Sequence, residues 1–126
     1  MSSLTIRVCC CLTVLGAFGA EVARADEIQF SRDVLPLLSD RCFHCHGPDE
    51  NNREAELRLD VEASAKADLG GYSPIAPGNL ADSEVWRRIV SDDDDARMPP
   101  ADSHRKPLTE QEREAIRQWI VAGAKW

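Results

Sequence analysis

Two thiols and two imidazoles fall within five residues, Cys42-Phe43-His44-Cys45-His46. The spacing is C-x-x-C-H, the attachment signature for c-type haem. Each position has a use. Two thiols separated by two residues can add to the two vinyl groups on one edge of a porphyrin. A histidine directly after the second thiol can turn under the ring and bind iron through its imidazole. Covalent links of this kind prevent loss of the haem outside the cytoplasm.

Two other chemistries use the same residue types. A redox dithiol would want a βαβ pattern around the motif, and the sequence has none. A zinc site could take Cys42, Cys45 and His46, with His104 as a fourth ligand, but it usually brings a second spaced ligand pair. Haem is the reading that uses every position of the motif.

A second axial ligand would come from elsewhere in the chain. Met98 is the one methionine besides the initiator. A lone methionine is usually a core gap-filler, but Arg97-Met98-Pro99-Pro100 lies in a polar stretch where no filler is needed. The two prolines stiffen the backbone after the thioether. His/Met ligation also raises the reduction potential. His104, on the same loop, is the rival ligand, and an open position is the third alternative. His44 lies inside the attachment loop, on the proximal side, and cannot reach over the ring.

The elements that must position these groups read as helices. Phe30, Val34, Leu37, Leu38 and Arg41 follow the spacing of an amphipathic helix. With Asp33 as cap, Pro36 falls in the first turn, where its missing N–H costs nothing. The pattern predicts a helix over about residues 33–42, ending at the cysteine pair. Residues 47–60 form a polar loop after Gly47-Pro48, with a short extended stretch where Leu57 and Leu59 alternate with Arg58 and Asp60. Residues 61–69 could form a helix stopped by Gly70-Gly71, and residues 73–79 an irregular crossing. Ser83 can cap a helix through Val90, with Val85, Trp86 and Ile89 on one face. Residues 92–104 are a loop. Thr109-Glu110-Gln111-Glu112 is a capping box, and Ile116, Trp119, Ile120 and Gly123 share one face after it. The class is therefore all-α. Long loops take nearly half of the chain after residue 25, which suggests a large group sits inside.

The chain has 126 residues and a net charge of −7, with 29 % charged and 43 % hydrophobic residues. This is globular composition, with room for one domain. The acidic balance argues against nucleic acid as partner. Residues 1–25 read as an export signal: Arg7, an uncharged apolar run from Val8 to Ala20, then Ala23-Arg24-Ala25 as a cleavage site. The run is shorter than the about 20 apolar residues of a bilayer-spanning helix. Cys9, Cys10 and Cys11 lie within it, so only Cys42 and Cys45 belong to the mature domain, residues 26–126. A disulfide between those two would close a tiny loop and staple nothing.

The order of the motifs carries a resemblance. Phe30-Ser31-Arg32-Asp33-Val34-Leu35-Pro36 leads into Cys42-Phe43-His44-Cys45-His46-Gly47. Then come Leu57-Arg58-Leu59-Asp60, Pro77-Gly78-Asn79, Arg97-Met98-Pro99-Pro100, Pro107-Leu108-Thr109 and a final Gly123-Ala124-Lys125-Trp126. Over residues 27–126 the chain resembles the planctomycete cytochrome c domain family, a branch of class I cytochrome c. The resemblance implies a small helical fold with long loops around one covalent haem c. It implies that Cys42 and Cys45 bind the haem, with His46 as proximal and Met98 as distal iron ligand. In that family the domain commonly stands at the N-terminus of much longer exported proteins.

Other residues have weaker readings. The carboxylate run 92–95 reads first as a solvated loop and second as a docking patch for a basic face on a redox partner. Trp86 and Trp119 read as core residues before propionate donors. Arg58 and Arg97 are candidates to pair with propionates, and surface placement suits them equally. Together these expectations describe an exported, periplasmic or equivalent, single-electron carrier with no catalytic residues and no membrane span in its mature chain. The alternatives are a haem-based ligand sensor, in which Met98 leaves the iron, and a zinc-stabilised interaction module.

Overall fold

A computed structural model describes residues 27–126. The predicted export signal, residues 1–25, lies outside the described residues. Among the described residues the elements are helical, and one isolated β-bridge joins Ser73 to Ser83. No helix there is long and apolar enough to cross a membrane.

The chain winds earlier than the sequence predicts. A π-helical turn covers Phe30–Val34, and helix α1 follows at Leu35–Arg41. Pro36 sits in the first turn of α1, as expected. Asp33 does not cap that helix. Its carboxylate turns back, accepting from the Gln29 amide at 2.7 Å and from Arg32. A free N–H one turn upstream was available, and Asp33 satisfies that one instead.

Helix α2 is a single turn, Phe43–His46, that begins directly after Cys42. The loop after it folds back onto it. The Glu54 amide donates to the Cys45 carbonyl at 2.7 Å, and the Leu59 amide to the His46 carbonyl at 2.8 Å. Residues 57–60 form no strand: the Leu57, Arg58 and Leu59 amides are taken by the Glu54 carbonyl, Ser64 Oγ and the His46 carbonyl, and no strand lies beside them among the described residues.

Helix α3 spans only Glu62–Ala65, against the predicted residues 61–69. Asp68 ends it early by accepting from the Gly70 and Gly71 amides at 3.0 and 2.7 Å. Aspartate offers the backbone an alternative to the helix, and here the turn wins. Helix α4 spans Glu84–Ile89. Ser83 precedes it but makes no cap. The hydroxyl is fully buried, accepts from the Ala76 amide at 2.9 Å and faces the Asn79 carbonyl at 2.7 Å. It pins the irregular crossing to α4. A 3₁₀ turn covers Ala101–Ser103.

Helix α5, Glu110–Val121, has the predicted capping box: Thr109 Oγ1 accepts from the Glu112 amide, and Glu112 Oε2 from the Thr109 amide. Ile116, Trp119 and Ile120 are its buried face. Gly123 is not part of that face. It stands beyond the helix at φ +97°, where the Ala124 amide reaches the Trp119 carbonyl at 2.9 Å and the Gly123 amide reaches Ile120 at 3.0 Å. That is the left-handed helix end at which glycine avoids a Cβ clash.

The core joins Val34 and Leu38 to Leu59, Ile75, Leu108, Ile116, Trp119 and Ile120. Trp119 stacks on Phe30 at 5.4 Å and meets Trp126 at 5.2 Å between ring centroids. Its indole N–H donates to the Lys125 carbonyl at 2.7 Å. Trp119 is thus a core residue with a satisfied donor, and Trp86 packs half-buried against the same core.

Candidate functional site

The spacing of Cys42, Cys45 and His46 becomes a shared face once the segment is helical. Residues three and four apart lie on one side of a helix. The Cys45 and His46 amides both donate to the Cys42 carbonyl, at 3.1 and 2.8 Å, which closes that turn. All three side chains line one cavity of about 600 Å³. This volume lies within the ~300–1,000 Å³ of ligand and cofactor sites.

Gly47 shows why the motif is followed by the smallest residue. A Cβ there would stand 2.2 Å from the Phe43 carbonyl oxygen and 2.8 Å from the Phe43 Cβ. The backbone turns so tightly after His46 that no side chain fits.

Met98 enters the same cavity from the loop after α4. Its amide donates to the Arg88 carbonyl at 3.1 Å, and Pro99 behind it is buried. His104 is brought elsewhere. It is exposed, with φ +57°, and the cavity wall passes through its neighbours Ser103 and Arg105. His44 is exposed at the cavity rim.

The rest of the wall is largely apolar, with Leu57, Leu59, Pro74, Val85 and Ile89. Three cations, Arg41, Arg88 and Arg105, also line it, together with three carboxylates, Glu54, Glu84 and Asp102. None of these arginines is a candidate propionate partner from the sequence. The two that are, Arg58 and Arg97, pair instead with Asp60 at 2.5 Å and Asp94 at 2.9 Å, and neither lines the cavity. A carboxylate two or three residues away captures each guanidinium locally. For Arg41, its place directly before Cys42 was the available signal.

The electrostatics fit a bound prosthetic group. His46 Nδ1 is buried with no hydrogen-bond partner. Burial lowers the His46 pKa, the nearby Glu54 carbonyl opposing it, so the ring is neutral and has a lone pair to offer at pH 7. Arg41 Nε is likewise buried without a partner. Burial pushes the Cys42 thiol up to about 12. A reactive redox dithiol needs the opposite shift, because the thiolate is the nucleophile. Among the described residues no three His, Cys, Asp or Glu side chains converge as a metal cluster. A large, mainly apolar cavity with two free thiols, an unpartnered imidazole and a thioether on its wall suits a flat, apolar macrocycle better than a bare ion.

Comparison with known proteins agrees with this class. A family model for planctomycete cytochrome C matches residues 42–102, from the first thiol to just past the Met98 loop. Over that segment the chain is similar to the planctomycete cytochrome C family, which supports the resemblance read from the motifs. The match points to a c-type cytochrome domain, a class that implies covalent haem c. No curated protein and no solved structure compared with the chain gave a match.

Proposed function

We propose that residues 26–126 form an exported, class I-like monohaem cytochrome domain that passes single electrons. Cys42 and Cys45 are the residues that hold the haem by thioether bonds. His46 and Met98 would be the residues that ligate its iron. The haem, when bound, supplies one-electron iron chemistry at a potential raised by the thioether ligand. The chain does the rest. Leu57, Leu59, Val85 and Ile89 exclude water, and Arg105, which pairs with a backbone carbonyl and not with a carboxylate, offers positive charge to the anionic edge of the macrocycle. With its thiols and imidazole committed to the haem, the domain is read as a carrier and not an enzyme. Residues 1–25 direct it to the periplasm or an equivalent space. Its partner is another redox protein, with a basic face that suits the exposed run 92–95.

The observation that carries this reading is the shared cavity: Met98 lines it together with Cys42, Cys45 and His46, while His104 does not. Carbon monoxide binding to the reduced holo-protein tests it. Met98→Ala should open a coordination position and speed binding strongly, and His104→Ala should leave binding unchanged. Rapid, complete binding by the unsubstituted protein would favour a ligand sensor instead.

A further inference from the structure

The loop that carries Met98 is tied to α4 at two points, and one residue makes both ties. The Arg88 carbonyl accepts from the Met98 amide at 3.1 Å. The Arg88 side chain reaches the same loop, its Nη1 donating to the Ala96 carbonyl at 3.3 Å. A third contact aims the guanidinium: Nε donates to Glu84 Oε1 at 2.8 Å, one helical turn earlier. Arg88 is half-buried and lines the cavity. Its neighbour Arg87 shares Glu84 through Oε2 at 3.1 Å but is exposed and does not line the cavity.

The chain leading into Met98 has little else to hold it down. Residues 92–95 are exposed, and the Ala96 and Arg97 amides both turn back onto the Asp93 carbonyl of that same segment, at 3.1 and 2.8 Å. Those bonds shape the turn without anchoring it to the body of the protein. The anchors are the ones on Arg88.

We infer that Arg88 is a positioning residue for Met98: its guanidinium, aimed by Glu84, fixes the loop at Ala96 and so sets how firmly the thioether stays on the iron. This rests on the reading of Met98 as an axial ligand. A thioether is a neutral, weak donor, so its bond to iron depends on the loop being held in place beforehand. Loops with few buried contacts open locally at small cost. Removing a charge-assisted tie leaves the backbone bond at residue 98 to resist that opening. The open population should rise by the factor such a bond is worth, about tenfold.

The test uses holo-protein made in an exporting, haem-attaching host, with Arg88→Met, Arg88→Lys, Glu84→Gln and Arg87→Met. Two quantities are read: the thioether-to-ferric-iron charge-transfer band, and the rate at which carbon monoxide binds the reduced form. Arg88→Met, which keeps the apolar stem, should bind carbon monoxide about tenfold faster and weaken the band. Arg88→Lys can reach one acceptor at a time, so it should fall between Arg88→Met and the unsubstituted protein. Glu84→Gln should shift in the same direction by less. Arg87→Met should match the unsubstituted protein. If the unsubstituted protein shows the band and Arg88→Met behaves like Arg87→Met, the role of Arg88 is overturned and Met98 ligation stands. If the unsubstituted protein lacks the band, Met98 ligation fails and this inference with it. If Arg88→Met yields no holo-protein, Arg88→Lys decides: a rate equal to that of Arg87→Met overturns the inference.

Discussion

Arg41 Nη2 donates to Glu112 Oε1 at 3.1 Å, joining the last residue of α1 to the first turn of α5. The Glu112 carboxylate does two things at once. Its other oxygen closes the capping box on the Thr109 amide at 2.7 Å. Arg41 is followed directly by Cys42, so the cap of the C-terminal helix is coupled to the start of the cysteine motif. Both side chains are mostly shielded from water, which keeps the pair from the near-zero value of an open surface bridge.

That coupling predicts an acid-side stability loss. Hydrogen bonding from the Thr109 backbone, then from its side chain, together with Arg41, holds the Glu112 pKa below its ordinary 4.5. The unfolded chain therefore binds more protons than the folded one as pH falls past 4.5. The stabilisation is fully present above that value and is lost as pH falls towards the folded pKa. Thermal melts between about pH 3 and 6 should show it. Glu112→Gln should lower the melting temperature near neutral pH and flatten part of the acid slope. Asp33, Asp60 and Glu114, held low by arginine neighbours, keep the remainder.

Ser83 offers a second prediction. Its hydroxyl is fully buried and satisfies the Ala76 amide. Ser83→Ala should destabilise the domain by about 1–3 kcal/mol, because it strands a buried donor. Denaturant unfolding with an unchanged slope would report it. A loss under about 0.5 kcal/mol would mean water enters the crossing and replaces the hydroxyl.

Glycine substitutions separate steric from conformational effects. Gly47→Ala places a Cβ against the Phe43 carbonyl, so the α2 turn must deform. The fraction of chains carrying haem should fall sharply. Gly78→Ala meets nothing within 4 Å and is strained only by φ +77°. It should cost about 1 kcal/mol of stability and leave haem loading intact. Pyridine haemochrome absorbance per chain distinguishes the two.

Removal of the prosthetic group should also remove helix. Among the described residues, four of the five α-helices have only four to seven residues. Isolated helices below ~12–15 residues are marginal in water, and α5 with its 12 residues stands at that limit. The chain with Cys42→Ala and Cys45→Ala should show much less helix by circular dichroism than the holo form. Equal ellipticity and equally cooperative melting would contradict this.

The helix whose signals are all local was legible in the sequence. For α5, Thr109 and Glu112 stand at the capping-box spacing, and Ile116, Trp119 and Ile120 keep the helical period. Pro36 likewise marked its own place in a first turn. Residues with two competing partners were not legible. Asp33 and Ser83 read as caps by type and Asp68 fell inside an expected helix, but the nearest free amides belonged to a preceding turn, a crossing loop and a glycine turn. The arginines divide in the same way. Arg58 and Arg97 are held by a carboxylate two or three residues away; Arg41 and Arg88 also have near carboxylates, Asp40 and Glu84, but their contacts to Glu112 and to the Ala96 carbonyl exist only after folding. Cys42, Cys45, His46 and Met98 were marked by motif, and their meeting in one cavity required the fold.

The central claim is that Cys42 and Cys45 hold one covalent haem whose iron is ligated by His46 and Met98. Its most direct test is the holo-protein from an exporting, haem-attaching host, run on denaturing electrophoresis with haem stain and paired with metal analysis. The account predicts a stained band, one iron per chain, and loss of the stain when both Cys42 and Cys45 are replaced by alanine. A colourless chain with stoichiometric zinc, or a haem that leaves the chain on denaturation, would contradict it.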